Sequence, residues 1–173
     1  MSLSLRAAQA ADRPFVEALI AREVRAGSVL PRAFDPEAFL VAEDHGAVVG
    51  TLSLQAWSDG VIELGTVIAA VPRRGIGRAL VAAGLERAAT TGARWAVVLT
   101  GCPDYFAAQG FEPMSDAPWA RARGPVASPD QPEDLTAAIG YKAAASCRSC
   151  PHLRGCRQAL LARPLTEAWE ACA

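Results

Sequence analysis

Between Val67 and Leu80 the chain reads VIAAVPRRGIGRAL, an apolar run that breaks into a glycine loop with three arginines and resumes as an alanine- and leucine-rich stretch. Residues of these types at this spacing make an anion cradle. Gly75 and Gly77 have no Cβ, so the backbone can turn tightly and bring amide N–H groups close to a phosphate. A helix opening near Gly77 adds unpaired N–H groups and the positive end of its dipole. Arg73, Arg74 and Arg78 add mobile charge and bidentate donors. The plainer reading of the same residues is a βα turn with solvated arginines. Spacing separates the known phosphate loops. A P-loop needs a lysine after its glycines, whereas Lys142 is the one lysine in the chain. A dinucleotide fingerprint needs a third glycine where Leu80 stands. R-R-G-x-G-x-A remains.

A second group with chemical potential is SCRSCPHLRGC, in which Cys147, Cys150 and Cys156 have C-x2-C-x5-C spacing. Three thiolates are one ligand short of a closed zinc site. Cys102, Cys172 or His152 could complete the set, and unmetallated thiols in a packed tail are the alternative. His45 falls in a polar turn and is expected at the surface.

The cradle needs a strand before it and a helix after it, and both are legible. Strand 61–71 leads in, and a helix presenting Leu80, Val81, Leu85 and Ala88 on one face leads out to Gly92. Upstream, Leu3 and Leu5 alternate with polar residues as a strand. Asp12 then caps a helix burying Phe15, Val16, Leu19, Ile20 and Val24. Asp35-Pro36-Glu37 predicts a second, short helix carrying Phe39 and Leu40. Runs 40–44 and 47–57 flank Asp44-His45-Gly46 as a hairpin. Downstream, 95–100 is an apolar strand without alternation, expected to be covered on both faces. Pro103 opens a short helix, YFAAQ, that Gly110 ends before a strand FEPM. Five prolines between 113 and 132 mark a boundary. Beyond it come a short segment at 135–145, the cysteines, and an amphipathic tail with Leu160, Leu161, Leu165 and Trp169. That tail suits either a partner copy in a homodimer or the domain's own surface.

The 173 residues suit one domain with an appendage, and 51% hydrophobic against 20% charged residues is a globular balance. A net charge of −1 argues against a nucleic-acid partner. With no apolar run near a membrane span and no secretory signal core, the expectation is a cytoplasmic protein with reduced thiols. Arginine-heavy basic usage and abundant alanine suggest a GC-rich bacterial genome.

In this order of elements, residues 3 to 116 resemble the GCN5-related N-acetyltransferases. The strand 61–71, the loop 73–79 and YFAAQGF carry the resemblance. It implies an α/β (α+β) fold, the GNAT fold, with a mixed, mostly antiparallel sheet of six to seven strands and flanking helices, followed by a cysteine-containing tail. The division expected is an acetyltransferase domain at 1–116, a proline-rich linker at 117–134 and an extension at 135–173. The resemblance also implies acetyl-CoA as cosubstrate. Its pyrophosphate would be gripped by Arg73, Arg74, Gly75, Ile76, Gly77, Arg78 and Ala79, and its pantetheine arm paired with the backbone of Val67, Ile68 and Ala69. An amine then attacks the thioester, a backbone N–H holds the oxyanion, and a base takes the amine proton. Glu63 is the best-placed carboxylate for that base, against the alternative of a solvated strand-end carboxylate.

Two positions depart from the family pattern. Pro72 stands where the family loop usually has Arg or Gln, in a segment about two residues shorter. Phe106 stands where a general-acid tyrosine is frequent, leaving Tyr105 next to it as the candidate. The cysteine tail, including the proline after Cys150, is similar to short bacterial amino-acid acetyltransferases of the N-acetylglutamate synthase type. Gly65, Arg157 and Gln158 differ from that type, and CPDYFAAQGFEP resembles another bacterial branch. The function implied is acetyl transfer to a primary amine of a small molecule, such as the amino acid glutamate, an acceptor that arginines at 22, 25 and 32 would suit. The alternatives are an acyl-CoA or metal sensor on a degenerate acetyltransferase fold, and a redox or metal-handling tail.

Overall fold

A computed structural model describes residues 3–124 and 132–165. Seven strands form one mixed sheet: β1 (Leu3–Ala7), β2 (Phe39–Asp44), β3 (Ala47–Ser58), β4 (Val61–Ala69), β5 (Trp95–Thr100), β6 (Glu112–Pro113) and β7 (Ala159–Pro164). Their order is β1-β2-β3-β4-β5-β7-β6. The β4–β5 pair is parallel, whereas β1–β2, β2–β3, β5–β7 and β6–β7 are antiparallel. The helices are α1 (Arg13–Arg25), α2 (Ile76–Thr90), α3 (Pro103–Ala107), α4 (Pro118–Arg123) and α5 (Glu133–Lys142). This is the fold class expected from the order of elements. No helix among the described residues is long and apolar enough to cross a membrane.

The chain divides into two compact units, one within 1–55 and 64–88, the other within 56–63 and 89–173. In the first, Val16 and Ile20 of α1 pack with Phe34, Phe39, Val41 and Ile68. Arg6 ties this unit together, donating to both oxygens of Asp12 at 2.7 and 2.9 Å and to Glu43 at 2.9 Å. The Arg6 hydrogen bond holds the Asp12 carboxyl below its ordinary range, although burial opposes the shift. The short helix predicted around Phe39 and Leu40 is not formed. Both residues belong to β2, where Leu40 pairs with Ala7 on one side and Leu52 on the other. Asp35 instead makes a local turn, accepting from the Glu37 N–H at 3.0 Å. A buried, doubly paired strand outweighs a three-residue cap signal.

In the second unit, β5 is the central strand, and its residues Ala96, Val97 and Val98 are buried. The apolar tail supplies its antiparallel neighbour. Residues 159–164, set apart from the sequence as part of an extension, form β7 and pair with β5 from Trp95↔Pro164 to Thr100↔Ala159. Leu160, Leu161 and Ala162 are buried there, which rewards strand pairing over an amphipathic helix. The segment between β6 and β7 is therefore an excursion that leaves the sheet and returns. Within it, α4 lies in the span read as a linker, with Pro118 in its first turn. Arg121 bonds Asp116 and the carbonyl of Thr136, Trp119 Nε1 donates to the carbonyl of Gln158 at 2.7 Å, and Arg94 bonds Asp134 at 3.0 Å. Trp169 and Cys172 lie outside the described residues.

Close approach of β3, β4 and α2 depends on Gly50. A Cβ there would stand 2.7 Å from Ile76 Cγ2 and 2.9 Å from the carbonyl oxygen of Ile68. Because the second of these is backbone, Gly50→Val is expected to lower stability by about 1–3 kcal/mol in urea unfolding, through overpacking.

Candidate functional site

The first unit holds the cradle. Strand β4 ends at Ala69, and Val71, Pro72, Arg73, Arg74 and Gly75 are exposed before α2 begins at Ile76. Arg73 and Gly75 both have left-handed backbone, with φ of 62° and 76°. For arginine that conformation is uncommon and costs energy, while glycine adopts it freely. Left-handed residues placed alternately aim successive N–H groups into one concavity, as anion-binding nests do. The first i→i−4 bond of α2 runs from the Ala79 N–H to the Gly75 carbonyl at 3.0 Å. The amides of Ile76, Gly77 and Arg78 thus form the first turn, where N–H groups project from the helix end. Arg78 is exposed beside them, and Gly77 and Ala79 are half-buried.

Strand β4 is irregular in its middle. Thr66 has φ 50°, a strained conformation for a β-branched residue, and the buried Ser53 hydroxyl donates to its Oγ1 at 3.2 Å. Val67, Ile68 and Ala69 follow this irregularity, with Ile68 buried and its neighbours half-buried. An irregularity in a strand re-aims the peptide groups beyond it, and such features cluster near functional sites. At the strand's end, Arg22 Nη2 reaches the Ala69 carbonyl at 3.5 Å, while its Nε bonds Glu23 at 2.8 Å. Arg32 donates to Gln55 at 2.7 Å.

Glu63 lies in the second unit and is not a solvated strand-end carboxylate. It is 6% exposed. Its Oε2 accepts from Trp57 Nε1 at 2.8 Å and from Lys142 Nζ at 2.8 Å. Lys142, 9% exposed, also sits over the Trp57 ring, 5.3 Å from its centroid. The cause is strand alternation. Val61 and Glu63 face the same way, and Val61 belongs to the apolar cluster with Trp57, Val97, Leu135 and Ile139. A carboxylate directed there is tolerated because a cation and an indole N–H reach it.

Lys142 is the residue that sequence reading passed over. Its signal was present: Leu135, Ala138, Ile139 and Lys142 recur at i, i+3, i+4 and i+7, so the lysine occupies an apolar helix face. Tyr105 is 41% exposed and stacks edge-on against Phe106, which is buried against Phe111. The two neighbours face different surroundings, as expected on a helix. His45 is exposed at the β2–β3 turn with φ 51°.

Among the described residues, Cys147, Cys150 and Cys156 are not gathered into a metal-binding group. Cys147 ends a π-helix (Ala143–Cys147), Cys150 caps the following turn through its N–H to the Cys147 carbonyl at 3.1 Å, and Cys156 follows a 3-10 turn (Leu153–Gly155). Among the described residues no group of three or more His, Cys, Asp and Glu could hold a metal ion. Burial pushes the Cys147 thiol up from its ordinary range, the nearby Cys156 and Cys150 add to the rise, and Lys142 opposes it. The loop has a different organiser. Arg123 stacks on Trp119, with its guanidinium carbon 4.7 Å from the ring centroid, and donates to the carbonyls of Leu153, Arg154 and Cys156.

A model of the acetyltransferase (GNAT) family matches residues 6–111. The chain belongs to the acetyltransferase (GNAT) family. Solved structures agree on the fold of this GNAT protein. N-acetylglutamate synthase from Neisseria gonorrhoeae, complexed with coenzyme A and N-acetyl-glutamate, matches 95% of the chain with a TM-score of 0.70 at 21% identity. The chain spans 35% of that protein's length. Rv2747 from Mycobacterium tuberculosis, in complex with CoA, matches 93% of the chain and 98% of its own, with a TM-score of 0.70 at 23% identity. The protein yncA from Salmonella typhimurium, with its cofactor acetyl-CoA, matches 68% of the chain and 83% of its own, with a TM-score of 0.58 at 18% identity.

Removing one member of a buried ion pair strands the other. Lys142→Met is expected to cost about 3–5 kcal/mol in urea unfolding. Adding Glu63→Gln, which keeps an acceptor for Trp57 Nε1 and removes the stranded charge, is expected to recover more than half of that loss.

Proposed function

We propose that this GNAT protein is an N-acetyltransferase that moves the acetyl group of acetyl-CoA to a primary amine of a small molecule, with an amino acid such as glutamate as the acceptor. The loop 72–79 carries the reading: left-handed residues at 73 and 75, exposed arginines and the opening turn of α2 fall within one short stretch. The pyrophosphate of CoA matches that chemistry, held by the backbone from Gly75 to Ala79 with Arg73, Arg74 and Arg78. The peptide groups of Val67, Ile68 and Ala69 would pair with the pantetheine arm as an added strand does. An N–H of the same stretch would hold the oxyanion.

The remaining steps are proton transfers. The acceptor must lose a proton before or as its nitrogen attacks the thioester carbonyl, and Glu63 is our candidate base, directly or through water. Collapse of the tetrahedral adduct expels the CoA thiolate, and the exposed Tyr105 hydroxyl is our candidate donor to it. The glutamate reading draws on the N. gonorrhoeae structure with N-acetyl-glutamate and on Arg22, Arg25 and Arg32, which would suit an acceptor carboxylate.

A second reading is an acyl-CoA-binding module without turnover. It is favoured by the engagement of Glu63 with Lys142 and by the phenylalanine at 106. Calorimetric titration with acetyl-CoA tests the binding both readings share. Saturable heat is expected, weakened at least tenfold by Arg73→Ala/Arg74→Ala, and no heat at millimolar ligand sinks both. Release of free CoA across an amino-acid and amine panel separates them, because release with any amine removes the non-catalytic reading. In the active enzyme Tyr105→Phe is expected to lower kcat with KM for acetyl-CoA unchanged. An unaltered kcat would take Tyr105 out of the mechanism.

A further inference from the structure

Lys142 is the one lysine of a chain whose other basic residues are all arginine, and it is buried. Its ammonium is met by two groups that together recognise such a cation: the Glu63 carboxylate at 2.8 Å and the face of the Trp57 indole at 5.3 Å. The indole N–H donates to the same carboxylate oxygen, fixing it in place. All three residues are more than nine-tenths buried. A compact, monovalent ammonium on an unbranched stem suits this arrangement, whereas a planar guanidinium with five donors does not.

We propose that Trp57 and Glu63 form the subsite for the primary ammonium of the acceptor, and that Lys142 fills it in the free protein as an internal stand-in. This rests on the reading of a primary-amine acceptor. It adds to Glu63's role as base the means by which the amine is held against it. The ligand class is a small molecule that presents a primary ammonium. A second feature bears on how Lys142 yields its place. The α-helix gives way to a π-helix immediately after it, at Ala143–Cys147. Such segments mark a local change of hydrogen-bond register and recur at functional sites.

The test uses the full chain without CoA. Lys142→Ala removes the stand-in, and n-propylammonium chloride, which reproduces the lysine side chain beyond the Cβ that alanine keeps, is the probe. Its binding is expected to raise the Tm of the variant by about 4 °C at tens of millimolar, while n-propanol and sodium chloride at equal concentration do not. If Lys142→Ala is unfolded in buffer, the same titration is read as recovery of helical circular dichroism. Adding Glu63→Gln is expected to abolish the response. No propylammonium-specific response, or one that survives Glu63→Gln, overturns the subsite. Because the measurement involves no CoA, it stands apart from the acetyl-CoA titration. Rescue without CoA binding would leave an amine subsite on a protein that transfers nothing, and CoA turnover without rescue would put the acceptor elsewhere.

Discussion

A carboxylate on the apolar side of a strand must be neutralised where it stands, and much of the second unit follows from that requirement. Glu63 shares its direction with Val61, among residues that exclude water. Its countercharge comes from far along the chain, in Lys142 at the end of α5. That helix is held by Arg94 on Asp134 and by Arg121 on the Thr136 carbonyl, each contact helping to fix where Lys142 begins its reach. The excursion between β6 and β7 is thus tied into β4 by charge as well as by the packing of Leu135 and Ile139 on Trp57 and Val97.

The first unit is governed by backbone conformation. Thr66 and Arg73 are non-glycine residues held with positive φ, the first within β4 and the second in the loop that follows it. Such conformations persist only where their surroundings over-determine them. For Thr66 the Ser53 hydroxyl is one such constraint. Near Arg73 the neighbouring glycine and the opening of α2 set the path of the chain. A loop whose amides are already turned outward loses less entropy on meeting an anion than one that must rearrange.

The fold was largely legible in the sequence because its strongest signals are local. The Asp44-His45-Gly46 turn, the glycine loop before α2 and the Gly110 stop after α3 each announce themselves within a few residues. Phe39 and Leu40 misled because a cap-like Asp-Pro-Glu precedes them, while the pairing that makes them strand comes from Ala7 and Leu52. The strand at 159–164 was obscured for the same reason: its partner, β5, lies far upstream. The cysteine spacing suggested a common centre, yet spacing along a chain does not determine where thiols point once a π-helix and a 3-10 turn intervene. Glu63 could be noted in the sequence as a carboxylate on β4, but its surroundings were beyond reach, since Trp57 and Lys142 meet it only through tertiary structure.

The return of β7 between β5 and β6 has a consequence for how this part of the chain is made and how it varies. During synthesis β5 is extruded long before the strand that covers its edge, so one side of the most buried strand of the second unit must wait for its partner. The segment between β6 and β7 is meanwhile a closed detour whose two ends the sheet holds side by side. Loop-closure entropy grows only slowly with length, so such a detour can change length between its packed points while Leu135, Ile139 and Lys142 keep their places against Trp57, Val97 and Glu63. The piece of chain that delivers a cation to β4 is thus fixed where it packs and open to change between those points.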